Sequence, residues 1–193
     1  MRERAKQILL AEADAIRNVP INEHFERAVQ LFLGCHGKVI TFGIGKAGYI
    51  AKKAASTFST TGTPAIFLHP GDASHGDVGV IGTQDVALAF SNSGMTREVL
   101  ETLHFCRRLG VGHVICVTAH AESKLAEASD VVLEIGKIQE PCPLGLTPTA
   151  SVAAMLALTD ALALVVMEQR GFSREDFALR HHGGYIGEQL KRG

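Results

Sequence analysis

Several features are missing from this 193-residue chain, and each absence narrows what it can be. Charge is nearly balanced, with 19 Lys and Arg against 20 Asp and Glu, a net −1 that argues against a nucleic-acid surface as the main partner. The four cysteines, Cys35, Cys106, Cys116 and Cys142, have no C-x-x-C spacing. Neither a disulfide nor a zinc framework is expected, and they read as reduced thiols of a cytoplasmic protein. No signal-peptide core accompanies the charged residues from Arg2 to Lys6. The longest apolar run, Ala161 to Met167, is bounded by Asp160 and Glu168, so no membrane span is expected. Repeats, low-complexity tracts and linkers are also missing. Residues 1–193 are therefore expected to form one domain, long enough for a sizeable core.

What is present is an alternation of apolar runs and amphipathic stretches. Hydrophobic residues make up 46% and charged residues 20%, the balance of a globular protein, and nine histidines supply groups that titrate near neutral pH. Residues 2–33 predict two helices broken at Pro20, with apolar stripes Ala5, Ile8, Leu9, Ala15, Ile16 and Phe25, Ala28, Val29, Phe32. A leading helix with a one-sided stripe must pack on the body or on another subunit. Strands are expected at 39–42, 65–68, 86–90, 113–117 and 131–135, apolar on both faces and joined by helices. That pattern predicts an α/β fold with a five-stranded parallel sheet covered on both sides, which binds ligands beyond the carboxyl ends of its strands. A helix from Pro148 to Gln169 is apolar nearly all round, with Thr147 as its expected cap. Gly171 stops it, and Ser173 with Asp176 resembles a capping box for a short helix ending near Leu179.

Four stretches could carry chemistry. Ser91-Asn92-Ser93-Gly94-Met95-Thr96 lies where a strand passes into a helix, a place of free N–H groups and positive dipole that favours a phosphate. Ser91, Ser93 and Thr96 would add hydroxyl donors, and Gly94 would let the backbone approach the ligand closely. The alternative is a solvent-exposed turn capped by Thr96. Gly43-Ile44-Gly45-Lys46-Ala47-Gly48 fits G-x-G-x-x-G between strand and helix. However, His69 stands where a dinucleotide site needs an acid, and Lys46 suits a smaller phosphorylated or anionic ligand. His69 to Asp77 puts two His and two Asp in one loop, a metal-like density, with contact from His75 to a substrate hydroxyl the preferred reading. Glu140, beside Pro141 and Pro143, is expected to be partly desolvated, with a raised pKa that suits a general base; the alternative is a surface glutamate before a rigid turn.

Taken together, these stretches resemble the sugar isomerase (SIS) domain family, and more narrowly its arabinose-5-phosphate isomerase members. The resembling segments are Gly43 to Gly48, Thr60 to Pro64, His69 to Asp77, Ser91 to Glu98, Glu140 to Ser151, and Gly171 to Gly184. They run in order from about Gly34, and the last two are the most specific. The resemblance implies the SIS fold, a flavodoxin-like three-layer αβα sandwich, in its short form without the C-terminal CBS modules of many members. It implies interconversion of D-ribulose 5-phosphate and D-arabinose 5-phosphate through a cis-enediol, feeding Kdo and lipopolysaccharide synthesis.

The same resemblance places catalytic groups at Lys46, Glu98, Glu140 and His181. Glu140 would be the proton-transfer base, and Lys46 would offset enediolate or phosphate charge. His181 would move protons between oxygens across a subunit interface, and Glu98 would orient Lys46 or a substrate hydroxyl. Ser91, Asn92, Ser93, Gly94 and Thr96 would hold the phosphate, with Gly62, Thr63 and His75 lining the sugar and Gly45 also binding substrate. No cofactor would be required, His69 would be the site of an inhibitory zinc, CMP-Kdo would be a candidate feedback ligand, and a homotetramer is expected. Departures from the family pattern are Met95 for Glu, Asp72 for Glu, Pro141 for Ala, Thr147 for Ala, His182 for Pro and Tyr185 for Ala. Two other classes compete: a non-catalytic sugar-phosphate sensor, which needs the phosphate turn but no base, and a dinucleotide enzyme, disfavoured by the missing acid.

Overall fold

A computed structural model describes residues 1–181 and 183. The elements are α1 (Arg2–Arg17), α2 (Glu23–Leu33), β1 (Val39–Gly43), α3 (Gly45–Thr60), β2 (Ala65–Phe67), α4 (Pro70–Ala73), a 3₁₀ turn (Asp77–Val80), β3 (Val86–Phe90), α5 (Arg97–Arg108), β4 (His113–Thr118), α6 (Lys124–Glu127), β5 (Val131–Glu134), α7 (Ala150–Gln169) and α8 (Arg174–Arg180). The five strands form one parallel sheet in the order β2-β1-β3-β4-β5. β1 and β3 are buried at every position, as their two-faced apolar sequences require.

Alternate residues of each strand feed two separate cores. Val39, Val86, Leu88, Phe90, Ile115 and Val117 face α2, α3 and α7, with Phe25, Phe32 and Phe58. Ile40, Phe42, Ala87, Ala89, Val114 and Cys116 face α4, α5 and α6, with Val99, Leu103 and Leu125. The Phe32 and Phe58 rings lie 4.8 Å apart and tie α2 to α3. Asp85 is buried at the foot of β3. It accepts the Lys38 N–H at 2.9 Å and the Gly82 N–H at 2.8 Å, and pairs with the Lys38 ammonium at 2.8 Å.

α7 differs from its expected form. It starts at Ala150 with Thr149 in the cap position, and no side chain of that residue caps it. Within the helix, the Asp160 carboxylate pairs with Lys53 of α3. By length and composition this helix is apolar enough to cross a membrane. Half of it, however, is buried inside the protein, which is how a core helix behaves. On α1 only Ala15 is buried, while Leu9 and Leu10 are exposed. The Ser173–Asp176 capping box forms as the sequence predicts, and Gly171 takes the left-handed conformation (φ 62°) that ends α7.

Candidate active site

The order β2-β1-β3-β4-β5 reverses direction between β1 and β3, and open α/β sheets bind ligands at such a switch. A cavity of about 280 Å³ opens there. Three helix N-termini meet around it: Ile44, Lys46 and Ala47 from α3, Ser91, Asn92, Ser93 and Thr96 ahead of α5, and Pro148, Ser151, Val152 and Met155 from α7.

The loop before α5 is shaped by its own hydroxyls. Ser91 and Thr96 share a hydrogen bond of 2.8 Å, the Gly94 N–H donates to Ser91 Oγ at 3.1 Å, and the Met95 N–H donates to Ser93 Oγ at 3.2 Å. Thr96 is the cap residue, yet its hydroxyl is spent on Ser91 and makes no cap bond, so the first N–H groups of α5 are left for a ligand. α3 likewise has no side-chain cap and no acid in its first turn. Two open helix N-termini beside Lys46 suit a dianionic phosphate. Gly94 also makes room for a neighbouring segment. At φ 62° its missing side chain leaves room for Ser123 of the β4–α6 segment, which a Cβ would overlap.

The third N-terminus already holds an anion, the carboxylate of Glu140. Its Oε2 accepts the N–H groups of Thr149 at 2.8 Å and Ala150 at 2.9 Å, and the Thr149 hydroxyl at 3.4 Å. Its Oε1 accepts the Ser151 N–H at 3.2 Å and the Ser151 hydroxyl. This corrects the expected raised pKa. Partial burial pushes the carboxyl up, but the Ser151 hydroxyl and the N–H groups of Thr149, Ser151 and Ala150 favour the charged form more strongly. The pKa of Glu140 therefore lies below the ordinary carboxylate value. Glu140 does not itself line the cavity and stands one hydrogen bond behind it, through Ser151.

The glycine turn is also more helix than loop, since α3 begins at Gly45 (φ 60°). A Cβ on Gly48 would meet the Gly43 carbonyl oxygen at 2.6 Å, so this glycine spacing serves the packing of helix on strand and needs no dinucleotide. Gly45 and His69 line a neighbouring cavity of about 360 Å³ with Phe67, Tyr49 and Lys52. His69 caps α4 by accepting the Gly71 N–H at 3.2 Å, and His75 is exposed in the turn that follows. Among the described residues, no three His, Cys, Asp or Glu gather as a metal site.

Other expected site residues are not among those that line the first cavity. Glu98 is exposed in the first turn of α5. Gly62 and Thr63 follow the far end of α3, whose 16 residues carry the chain roughly 24 Å back toward the amino ends of the strands. Within one chain they therefore cannot line this cavity, contrary to expectation. Gly62 packs instead on the Phe172 ring. His181 ends α8 beyond the far end of α7, its ring stacked on Phe177 at 3.9 Å. His182 and Tyr185 lie outside the described residues. Sequence reasoning missed Ser151; its signal was a serine two residues after a helix cap in an otherwise apolar helix.

The SIS domain family pattern matches residues 32–165. The chain belongs to the SIS domain family. It is 47% identical to the arabinose 5-phosphate isomerase KdsD of Yersinia pestis over 96% of its own length and 57% of that relative's. It therefore spans little more than half the length of the curated relatives it matches. Among solved structures, a Bacteroides fragilis candidate phosphosugar isomerase involved in capsule formation is 42% identical, with a TM-score of 0.93 covering 96% of this chain and 99% of that one. An Escherichia coli CFT073 protein in complex with A5P is 38% identical, with a TM-score of 0.88 over 92% and 95% of the two chains. This SIS domain thus combines an open, hydroxyl-rich helix N-terminus, a cavity lysine and an ionised carboxylate held next door.

Proposed function

We propose that this chain is an aldose–ketose isomerase that interconverts D-ribulose 5-phosphate and D-arabinose 5-phosphate. One observation carries the reading. The cavity at the β1/β3 switch joins open helix N-termini and Lys46 to a carboxylate kept ionised at neutral pH. A binding module needs the first two of these but not the third. The relatives named for this isomerisation, and the related protein solved with A5P, support the same substrate.

In this reading Ser91, Ser93, Thr96 and the α5 N-terminus hold the phosphate, with Asn92 and Gly94 shaping the loop. Glu140 takes a proton from C1 of the ketose, giving a cis-enediol, and returns it to C2 of the aldose. Lys46 offsets the negative charge that develops on the oxygens. Glu98 orients Lys46 or a substrate hydroxyl. His181 moves the hydroxyl proton, and because it lies away from this chain's cavity it is supplied by a neighbouring subunit, together with Gly62 and Thr63. The exposed Leu9 and Leu10 of α1 and Leu164 of α7 support contact with further copies of the chain, in a homotetramer on this reading. His75 contacts the sugar, His69 is the position for an inhibitory zinc, and no cofactor is required. The product would feed Kdo synthesis in the cytoplasm, with CMP-Kdo as feedback ligand.

The test is incubation of metal-stripped protein with ribulose 5-phosphate in deuterium oxide, followed by NMR. Arabinose 5-phosphate carrying deuterium at C2 is the expected result. Binding of the sugar phosphate without turnover would overturn the reading in favour of a sensor.

A further inference from the structure

We propose that Ser151 is the positioning residue for the Glu140 carboxylate, holding one of its oxygens directly behind the wall of the sugar-phosphate cavity. This rests on Glu140 being the proton-transfer group.

The two carboxylate oxygens have separate partners. Thr149 and Ala150 hold Oε2, whereas Oε1 is held by Ser151 alone, through both its N–H and its hydroxyl. Loss of the Ser151 hydroxyl would leave the Oε2 bonds in place and remove a charge-assisted donor from Oε1. Among the described residues, Ser151 is the one that both lines the cavity and bonds Glu140. It is 1% exposed, in the first turn of a helix whose neighbouring positions are apolar. Serine is a poor helix former, and its hydroxyl is costly to bury without a partner, so a merely structural position would favour alanine. The hydroxyl is satisfied by the carboxylate.

The ionisable groups on surrounding elements are Lys46 on α3, lining the same cavity, Arg4 on α1, whose guanidinium reaches the Pro141 carbonyl, and Lys137 and Cys142 in the chain on either side of Glu140. Ser151→Ala alters none of them.

Turnover of ribulose 5-phosphate by wild type, Ser151→Ala and Ser151→Thr across pH is the experiment, with the Glu140 carboxyl followed by ¹³C NMR and assigned by comparison with Glu140→Gln. Ser151→Ala should lower kcat about tenfold to a hundredfold, the worth of a hydrogen bond to a charged group, and leave KM little changed. The acid limb of kcat/KM should move to higher pH, because the ionised form has lost a donor. Ser151→Thr should restore both. An unchanged kcat and pH profile in folded Ser151→Ala would overturn the proposal. So would a raised KM at unchanged kcat, which would make Ser151 a substrate contact. If Glu140→Gln keeps full turnover, the base reading fails. The ¹³C titration then still decides: a Glu140 carboxyl that titrates no higher in Ser151→Ala overturns the hold itself. If Ser151→Ala does not fold, Ser151→Cys, similar in size with a weaker donor, takes its place in the same comparison.

Discussion

Replacing Glu140 by glutamine should damage both the helix it caps and the proposed isomerisation, and the two losses can be separated by pH. In the folded protein the carboxylate accepts three N–H groups and two hydroxyls at the start of α7. Glutamine keeps one oxygen acceptor but turns an NH₂ group toward these donors. Loss of an N-terminal cap costs about 0.5–2 kcal/mol, and a hydrogen bond to a charged group contributes about 1.5–3 kcal/mol. A loss of about 2 kcal/mol is expected near neutral pH, which in a domain of this size lowers Tm by roughly 4–8 °C. The pKa of Glu140 is lower folded than unfolded, where it is about 4.3. Its stabilisation is therefore fully present above that unfolded value and is lost as pH falls through the folded one. The Tm gap between wild type and Glu140→Gln should thus be constant from about pH 7 to pH 5 and narrow below about pH 4. Over the same neutral range, kcat should fall by about two to four orders of magnitude. Thermal melts by circular dichroism and turnover at matched pH values read both. Equal Tm at neutral pH would refute the capping argument, and full turnover in a destabilised protein would leave Glu140 a cap alone.

Lys46→Ala should lower kcat/KM about 10²- to 10³-fold, with Tm unchanged because Lys46 is exposed; a matching fall in Tm would reassign the lysine to stability. Gly94→Ala should cost about 1–3 kcal/mol for its left-handed backbone alone, more with the overlap on Ser123, and should weaken inorganic phosphate binding measured by calorimetry. Wild-type phosphate affinity in that variant would show that the loop is not the anion site. The Cys142 thiol accepts N–H groups from Leu146 and Thr147 at 3.2 Å, and donation from Thr147 brings its pKa down to about 7. Iodoacetamide labelling followed by mass spectrometry should therefore show a midpoint near that value at Cys142. Cys106 and Cys116, pushed by burial up to about 12 and about 11, should stay unlabelled. A midpoint for Cys142 at the free-thiol value of about 8.5 would contradict the bonded turn.

Some of the site was legible before the structure. The hydroxyl-rich loop after β3 and the lysine in the glycine turn both announced an anion, and the cavity brings them together. Glu140 was legible as a residue of interest but not as a pKa. Desolvation can be guessed from flanking prolines, whereas the five donors come from a helix that begins ten residues later and folds back over it. The same reason explains Gly94, whose neighbour Ser123 lies 29 positions along the chain. It also explains Gly62 and Thr63, grouped with the site by motif and then carried to the amino ends of the strands by the length of α3.

What the amino-acid sequence by itself determined was local. Continuous apolar runs specified five strands, of which β1 and β3 are buried at every position, Pro20 divided the leading helices, and Ser173 with Asp176 built a capping box within four residues. Each depends on dihedral preference, side-chain alternation or a hydrogen bond to a near neighbour. What only the tertiary structure decided was which strand ends meet. The order β2-β1-β3 places the loops after β1 and β3 side by side, and α7 brings Ser151 to the cavity wall with the Glu140 carboxylate one hydrogen bond behind it. Those contacts join residues that no local pattern connects, and they are settled by how two cores pack on opposite faces of one sheet.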